Sequence, residues 1–176
     1  MALVENAADV EKQEPWWVKD NRNGLKALGM DVQQVDLRKF VGYQKKLKAE
    51  LGTCDVIWLG GGNTFYLRWI LRESGADTII TEMVKAGKPY GGGSAGAVVA
   101  GPTLKHFEAA DDPGDSPEVI LEGLGLTDLV VVPHWDADHE TMKKIDDTLK
   151  ADGHKTKPLT DAQALVIDGD EQFIIP

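Results

Sequence analysis

The chain has 176 residues, 42% of them hydrophobic and 27% charged, which suits one globular domain with an ordinary core. Its formal charge is −10, and its few basic residues are scattered, as in Lys45-Lys46 and Lys143-Lys144, so the basic face that nucleic acid requires is missing. No apolar run approaches the roughly 18–20 residues of a membrane span, no signal-peptide pattern opens the chain, and the lone Cys54 can form no internal disulfide, so a cytoplasmic protein is expected.

Met1–Asn6 reads as a strand that starts with no lead-in, where a doubly wound fold has room for another βα unit. The expectation is one domain over 1–176 in which that first unit is absent or shortened. A helix follows from Pro15, a residue favoured in a first turn, and stops before Gly29, a favoured C-terminal cap. Strands are expected at Val32–Leu37, Asp55–Gly60, Pro89–Gly92 and Leu129–Pro133, with helices over about Tyr43–Leu51, Thr64–Ser74, Asp77–Ala86 and His139–Ala151 between them. Ala164–Ile167 and Phe173–Ile175 flank Asp168-Gly-Asp170, a hairpin turn. Alternating strands and helices imply an α/β fold, a mostly parallel sheet covered by helices on both faces, with a C-terminal β-hairpin.

One stretch buries too little to be there for packing. Gly92-Gly93-Ser94-Ala95-Gly96 follows a strand and precedes the helix-compatible run Ala97–Ala100. It satisfies the G-x-S-x-G pattern in the strand–turn–helix context of a nucleophile elbow, where bulkier neighbours would collide with the adjoining strand and helix. The following helix start offers free backbone N–H groups to an oxyanion. A serine needs a base. His134, just past the Leu129–Pro133 strand, sits at the sheet edge where Ser94 should emerge. His106, after the elbow helix, is the rival; His139 and His154 fall in a polar helical stretch. A second cluster, Gly60-Gly-Gly-Asn-Thr64, matches neither a Walker loop nor a dinucleotide fingerprint. It is expected to bring backbone N–H groups of Gly61 and Gly62 near a substrate, with Asn63 or Thr64 capping the next helix.

Leu59-Gly-Gly-Gly-Asn-Thr-Phe65, Gly93-Ser-Ala-Gly-Ala97 and Pro133-His-Trp135 together resemble the peptidase E (aspartyl dipeptidase) family of serine peptidases, and Asn6-Ala-Ala-Asp9 and Gly101-Pro-Thr103 look family-like too. The resemblance implies a three-layer α/β/α, flavodoxin-like fold similar to the class I glutamine amidotransferase domain. It implies Ser94 as nucleophile, His134 as general base, and an oxyanion site between the Ala95 N–H and that of Gly61 or Gly62, with Asn63 near the substrate. The family's acid follows the elbow helix, here within Lys105–Pro113. An ungapped match puts Ala109 there, leaving Glu108, Asp111 or Asp112, with Glu108 and Asp111 preferred. The chain departs from the family after the histidine: Asp136–Lys144 holds no arginine to read an N-terminal aspartate, though Lys143 or Lys144 stands nearby.

A short peptide is thus the expected partner, with no cofactor, nucleic acid or membrane involved and a homodimer as the allowed assembly. An esterase-like hydrolase and a non-catalytic small-ligand-binding module are the alternatives. Trp16, Trp17, Trp58, Trp69 and Trp135 are expected in the core or along its edge. Asp136, Asp138, His139 and Glu140 match no metal-ligand spacing and read as a solvated helix start, so no metal is expected.

Overall fold

The computed structural model describes residues 1–176. Ala2, Leu3 and Val4 form strand β1 (Ala2–Val4), and all three are fully buried. An apolar triplet without alternation suits a strand covered on both faces, and β1 is flanked on both edges as well. It pairs in parallel with β2 (Gln33–Gln34) and β3 (Ile57–Leu59), and β3 pairs in parallel with β4 (Tyr90–Gly92), giving the order β2-β1-β3-β4. Helix α1 (Trp16–Ala27) connects β1 to β2, α2 (Gln44–Gly52) leads into β3, and α3 (Thr64–Ser74) with α4 (Ala76–Lys85) connects β3 to β4. Parallel neighbours require such crossovers.

Beyond β4 come the six-residue α5 (Ala95–Ala100), a long loop, and β5 (Leu129–Val132), four buried apolar residues. Helix α6 (His139–Ala151) then returns the chain to β6 (Lys155–Pro158), which pairs in parallel with β5 from Leu129↔Lys155 to Val132↔Pro158. The sequence reading has no strand at β6, because Lys-Thr-Lys-Pro offers neither an apolar run nor alternation. Neighbouring β5 supplies its backbone partners instead. The chain closes with the expected antiparallel hairpin, β7 (Ala164–Asp168) and β8 (Glu171–Ile175).

Phe65, Leu67, Ile70 and Leu71 on α3, Val98 and Val99 on α5, and Val130 and Val132 on β5 belong to one core that also takes in β1 and β3. Fully burying each such side chain contributes roughly 1.5–3 kcal/mol. Of the five tryptophans, Trp69 and Trp135 pack against it and Trp17 and Trp58 line a small cavity, whereas Trp16 is 78% exposed on the first turn of α1. Its neighbour Val18 faces inward instead, as helical periodicity requires.

Candidate active site

Three strands, β4 of the four-stranded sheet and the parallel pair β5-β6, are each followed within three residues by a polar side chain of the site. After β4 comes Ser94, whose backbone is held at φ 49°, ψ −114°, a conformation that L-residues seldom adopt. The surroundings impose it. Gly93 N–H donates to the Leu59 carbonyl at 3.0 Å, and the Ala97 and Val98 N–H groups return to the Ser94 carbonyl at 2.8 and 3.0 Å. A Cβ at Gly96 would lie 2.1 Å from the Leu59 carbonyl oxygen, so β3 and the start of α5 can meet only over a glycine. The Tyr90 hydroxyl donates to the Gly96 carbonyl, and burial pushes its phenol well above the usual range, keeping it a neutral donor.

After β5 comes His134, also left-handed at φ 56°. Its Nε2 lies 2.9 Å from Ser94 Oγ. Its Nδ1 lies 2.7 Å from Oδ1 of Asp161, which follows β6. Serine, imidazole and carboxylate therefore form one hydrogen-bonded line, half open to solvent: the His134 and Asp161 side chains are 40% and 55% exposed. Asp161 is absent from the sequence reading. The one signal for it, an acid just beyond a strand parallel to the histidine's strand, depends on recognising β6.

The acids expected in that place are employed elsewhere. Asp111 Oδ2 accepts the Thr64 N–H at 2.9 Å, at the start of α3. Burial raises its pKa, and the His134 ring acts on it only through space, with no hydrogen bond between them. Asp112 caps its own turn through the Gly114 N–H, and Glu108 is exposed on a one-turn 3-10 helix. The Lys105–Ser116 loop is strapped across the N-terminus of α3, which occupies Asp111 and Asp115, while Asp112 caps its own turn and Glu108 stays in solvent. Asn63 takes the capping role expected of it or Thr64. Its Oδ1 accepts from the Phe65 and Tyr66 N–H groups, both at 3.0 Å, and its Nδ2 donates to the Asp112 carbonyl and to Asp115. The side chain is a helix cap and strap with no free group for a substrate.

The glycine cluster after β3 does reach the serine. A Cβ on Gly61 would lie 3.1 Å from Ser94 Cβ and 3.7 Å from Oγ, so the bare backbone leaves the hydroxyl approachable. Gly62, at φ 131°, is pressed against Ala7, whose carbonyl accepts the Asn63 N–H at 2.9 Å. The N–H groups of Gly61, Gly62 and Ala95 donate to no backbone carbonyl. The rival histidine is remote in function: His106 Nε2 pairs with Asp152 at 2.9 Å. His139 stacks edge-on against Trp135 with ring centres 4.8 Å apart, and its Nδ1 lies 3.0 Å from the Trp135 carbonyl oxygen. A cavity of about 510 Å³ is lined by Glu5, Asp9, Arg22, Asp36 and Arg38 among others and does not include the serine. There Arg22 is bound to Glu5 and Glu14, and Arg38 to Asp36 and Asp9. A smaller one, about 40 Å³, shares Glu5 with the first and is lined also by Trp17, Trp58, Gly61 and Gly93, the last next to Ser94 in the chain.

The chain belongs to peptidase family S51, whose model matches residues 2–175. An uncharacterized peptidase of Listeria innocua is 30% identical over 175 residues, covering 97% of this chain and 81% of that protein. Peptidase E of Escherichia coli is 38% identical over 87 residues, 49% of this chain and 37% of the enzyme. A crystal structure described as a peptidase E protein from Listeria monocytogenes superposes with a TM-score of 0.87 at 28% identity, over 99% of this chain and 84% of that one. A peptidase from an acI-B1 actinobacterium shares the fold, with a TM-score of 0.73 at 21% identity over 99% of this chain and 73% of that one.

Proposed function

We propose that this peptidase is a serine exopeptidase that hydrolyses short peptides, dipeptides among them, through an acyl-enzyme on Ser94. The observation that carries the reading is the continuous line from Ser94 Oγ through both ring nitrogens of His134 to Asp161, at 2.9 and 2.7 Å. In this reading His134 Nε2 takes the hydroxyl proton as Oγ attacks the scissile carbonyl carbon. The oxyanion turns toward the Ala95 N–H and that of Gly61 or Gly62, each such donor contributing about 3–4 kcal/mol to the transition state. The imidazolium then protonates the leaving amine, and the C–N bond breaks to leave an ester on Ser94. A water, deprotonated by the same nitrogen, hydrolyses it and restores the hydroxyl. Asp161 holds the ring so that Nε2 faces the serine throughout.

Selectivity for an N-terminal aspartate is not part of the proposal. No arginine lies between Asp136 and Lys144, and Lys143 is already bound to Asp147 on its own helix. The lone, buried Cys54 fits action in a reducing cytoplasm. The test is labelling by a fluorophosphonate together with turnover of a dipeptide panel. Wild type should be labelled at Ser94, and Ser94→Ala and His134→Ala should lose turnover by at least about 10²-fold while folding normally. Full turnover by either variant would end the assignment, and hydrolysis of p-nitrophenyl esters without any dipeptide cleavage would make the protein an esterase.

A further inference from the structure

The acid of this site has an exposed side chain and a backbone held by hydrogen bonds. The β5–β6 ladder ends at Val132↔Pro158, but hydrogen bonding between the two segments continues past it. Leu159 N–H donates to the Val132 carbonyl at 2.9 Å, and Trp135 N–H to the Leu159 carbonyl at 3.0 Å. The last rung is made by a side chain: Asp136 Oδ1 accepts the Asp161 N–H at 3.1 Å. Asp136 is exposed and Asp161 is more than half exposed, so packing against the core holds neither in place. Next to that rung the Thr160 N–H bonds only to the nearby Gln163 side chain, at 3.1 Å, within the same turn.

We propose that Asp136 is a positioning residue for the reaction, its carboxylate capping the Asp161 amide so that the Asp161 side chain stays on His134 Nδ1. This rests on the peptidase reading above only for its catalytic consequence; the positioning itself is a property of the folded chain. Asp136 lies two residues beyond the histidine, so one short segment presents the base and also clamps the loop that orients it. The carboxylate's role here is as an acceptor. An amide oxygen of the same shape can do the same work, whereas a methyl cannot. Besides Asp161, the charged or titratable groups around the ring are Ser94 at Nε2, Asp111 acting through space, Asp136 one step behind, and His139 against Trp135.

Two measurements on the full chain test this, comparing wild type with Asp136→Ala, Asp136→Asn and Asp161→Ala after their folding is checked by circular dichroism. The first is the downfield proton resonance of His134 Nδ1–H, which needs no substrate. It should be present in wild type and Asp136→Asn and lost in Asp136→Ala and Asp161→Ala. The second is the rate of Ser94 labelling by a fluorophosphonate, expected to fall about tenfold in Asp136→Ala and to return to within about twofold of wild type in Asp136→Asn. An Asp136→Ala protein that keeps both the resonance and the rate overturns the proposal, as does an Asp136→Asn protein that loses both, since charge rather than the amide bond would then matter. Wild type that carries the resonance but resists labelling would remove the peptidase reading and leave the positioning intact.

Discussion

Two aspartates near one histidine separate at the level of single atoms. Asp161 contacts His134 Nδ1 directly, at 2.7 Å, whereas Asp111 spends its oxygen on the Thr64 N–H. Asp161→Asn should lower the rate of Ser94 acylation on the order of 10²–10⁴-fold, because a carboxamide can donate to Nδ1 and favour the wrong ring tautomer. Asp111→Asn should leave that rate within a few-fold of wild type. Burial raises the Asp111 pKa, so at neutral pH its charge opposes folding, and that cost fades as pH falls and the group protonates. The asparagine can still accept the Thr64 N–H, so its Tm should equal or exceed that of wild type at pH 7, with the difference shrinking in acid. Asp36 has the opposite sign. The Arg38 guanidinium holds its carboxyl at about 2, against an ordinary 3.8. Its contribution is complete above about pH 4 and is lost as pH falls through about 2. Thermal melts should therefore show a smaller drop in Tm between pH 4 and pH 2 for Asp36→Asn than for wild type, a modest difference because the Arg38 side of the pair is more than half exposed.

The elements meet most tightly where β3, β4 and α5 converge. Trp58 on β3 lies opposite Gly91 on β4, and the indole covers the space where a Gly91 side chain would stand. At Gly96 the obstacle is backbone, the Leu59 carbonyl 2.1 Å from a would-be Cβ, and it cannot swing aside as a side chain would. Gly96→Ala is expected to destabilise the protein by about 1–3 kcal/mol or more in urea unfolding and to displace Ser94, lowering fluorophosphonate labelling even in the folded fraction. β6 shows the converse. Its residues have little strand preference of their own, and its place beside β5 is set by the α6 crossover, where Asp146, almost fully buried, binds Thr156 and Lys150.

Across the whole molecule, the serine, the histidine and the acid follow the C-terminal ends of β4, β5 and β6 in that order, 94, 134 and 161. Open parallel sheets build their sites at that edge. The opposite extreme of order is the C-terminal hairpin. β7 and β8 pair only with each other, and every residue of β8 is exposed. A lone two-stranded hairpin is marginally stable in water. Amide hydrogen exchange from Ala164 to Ile175 should therefore be much faster than in Ala2–Val4 and Ile57–Leu59, whose residues are mostly buried in the sheet.

The amino-acid sequence by itself determined the alternating architecture and singled out Ser94 and His134, which the fold brings within 2.9 Å of each other. Apolar runs such as Leu129–Val132, small residues around Ser94 and glycine or asparagine caps are local signals, because each records a steric or hydrogen-bonding demand made within a few residues. It located the glycines beside the serine for the same reason. It could not choose the acid. Glu108, Asp111, Asp112 and Asp161 read alike in the sequence as loop carboxylates in a chain with 29 acidic residues, and nothing local separates them. Only tertiary pairing did so, by laying an unpromising Lys-Thr-Lys-Pro segment alongside β5 and folding the Lys105–Ser116 loop over α3. A side chain's chemistry is written where it stands in the chain, but its partner is set by which backbones lie side by side.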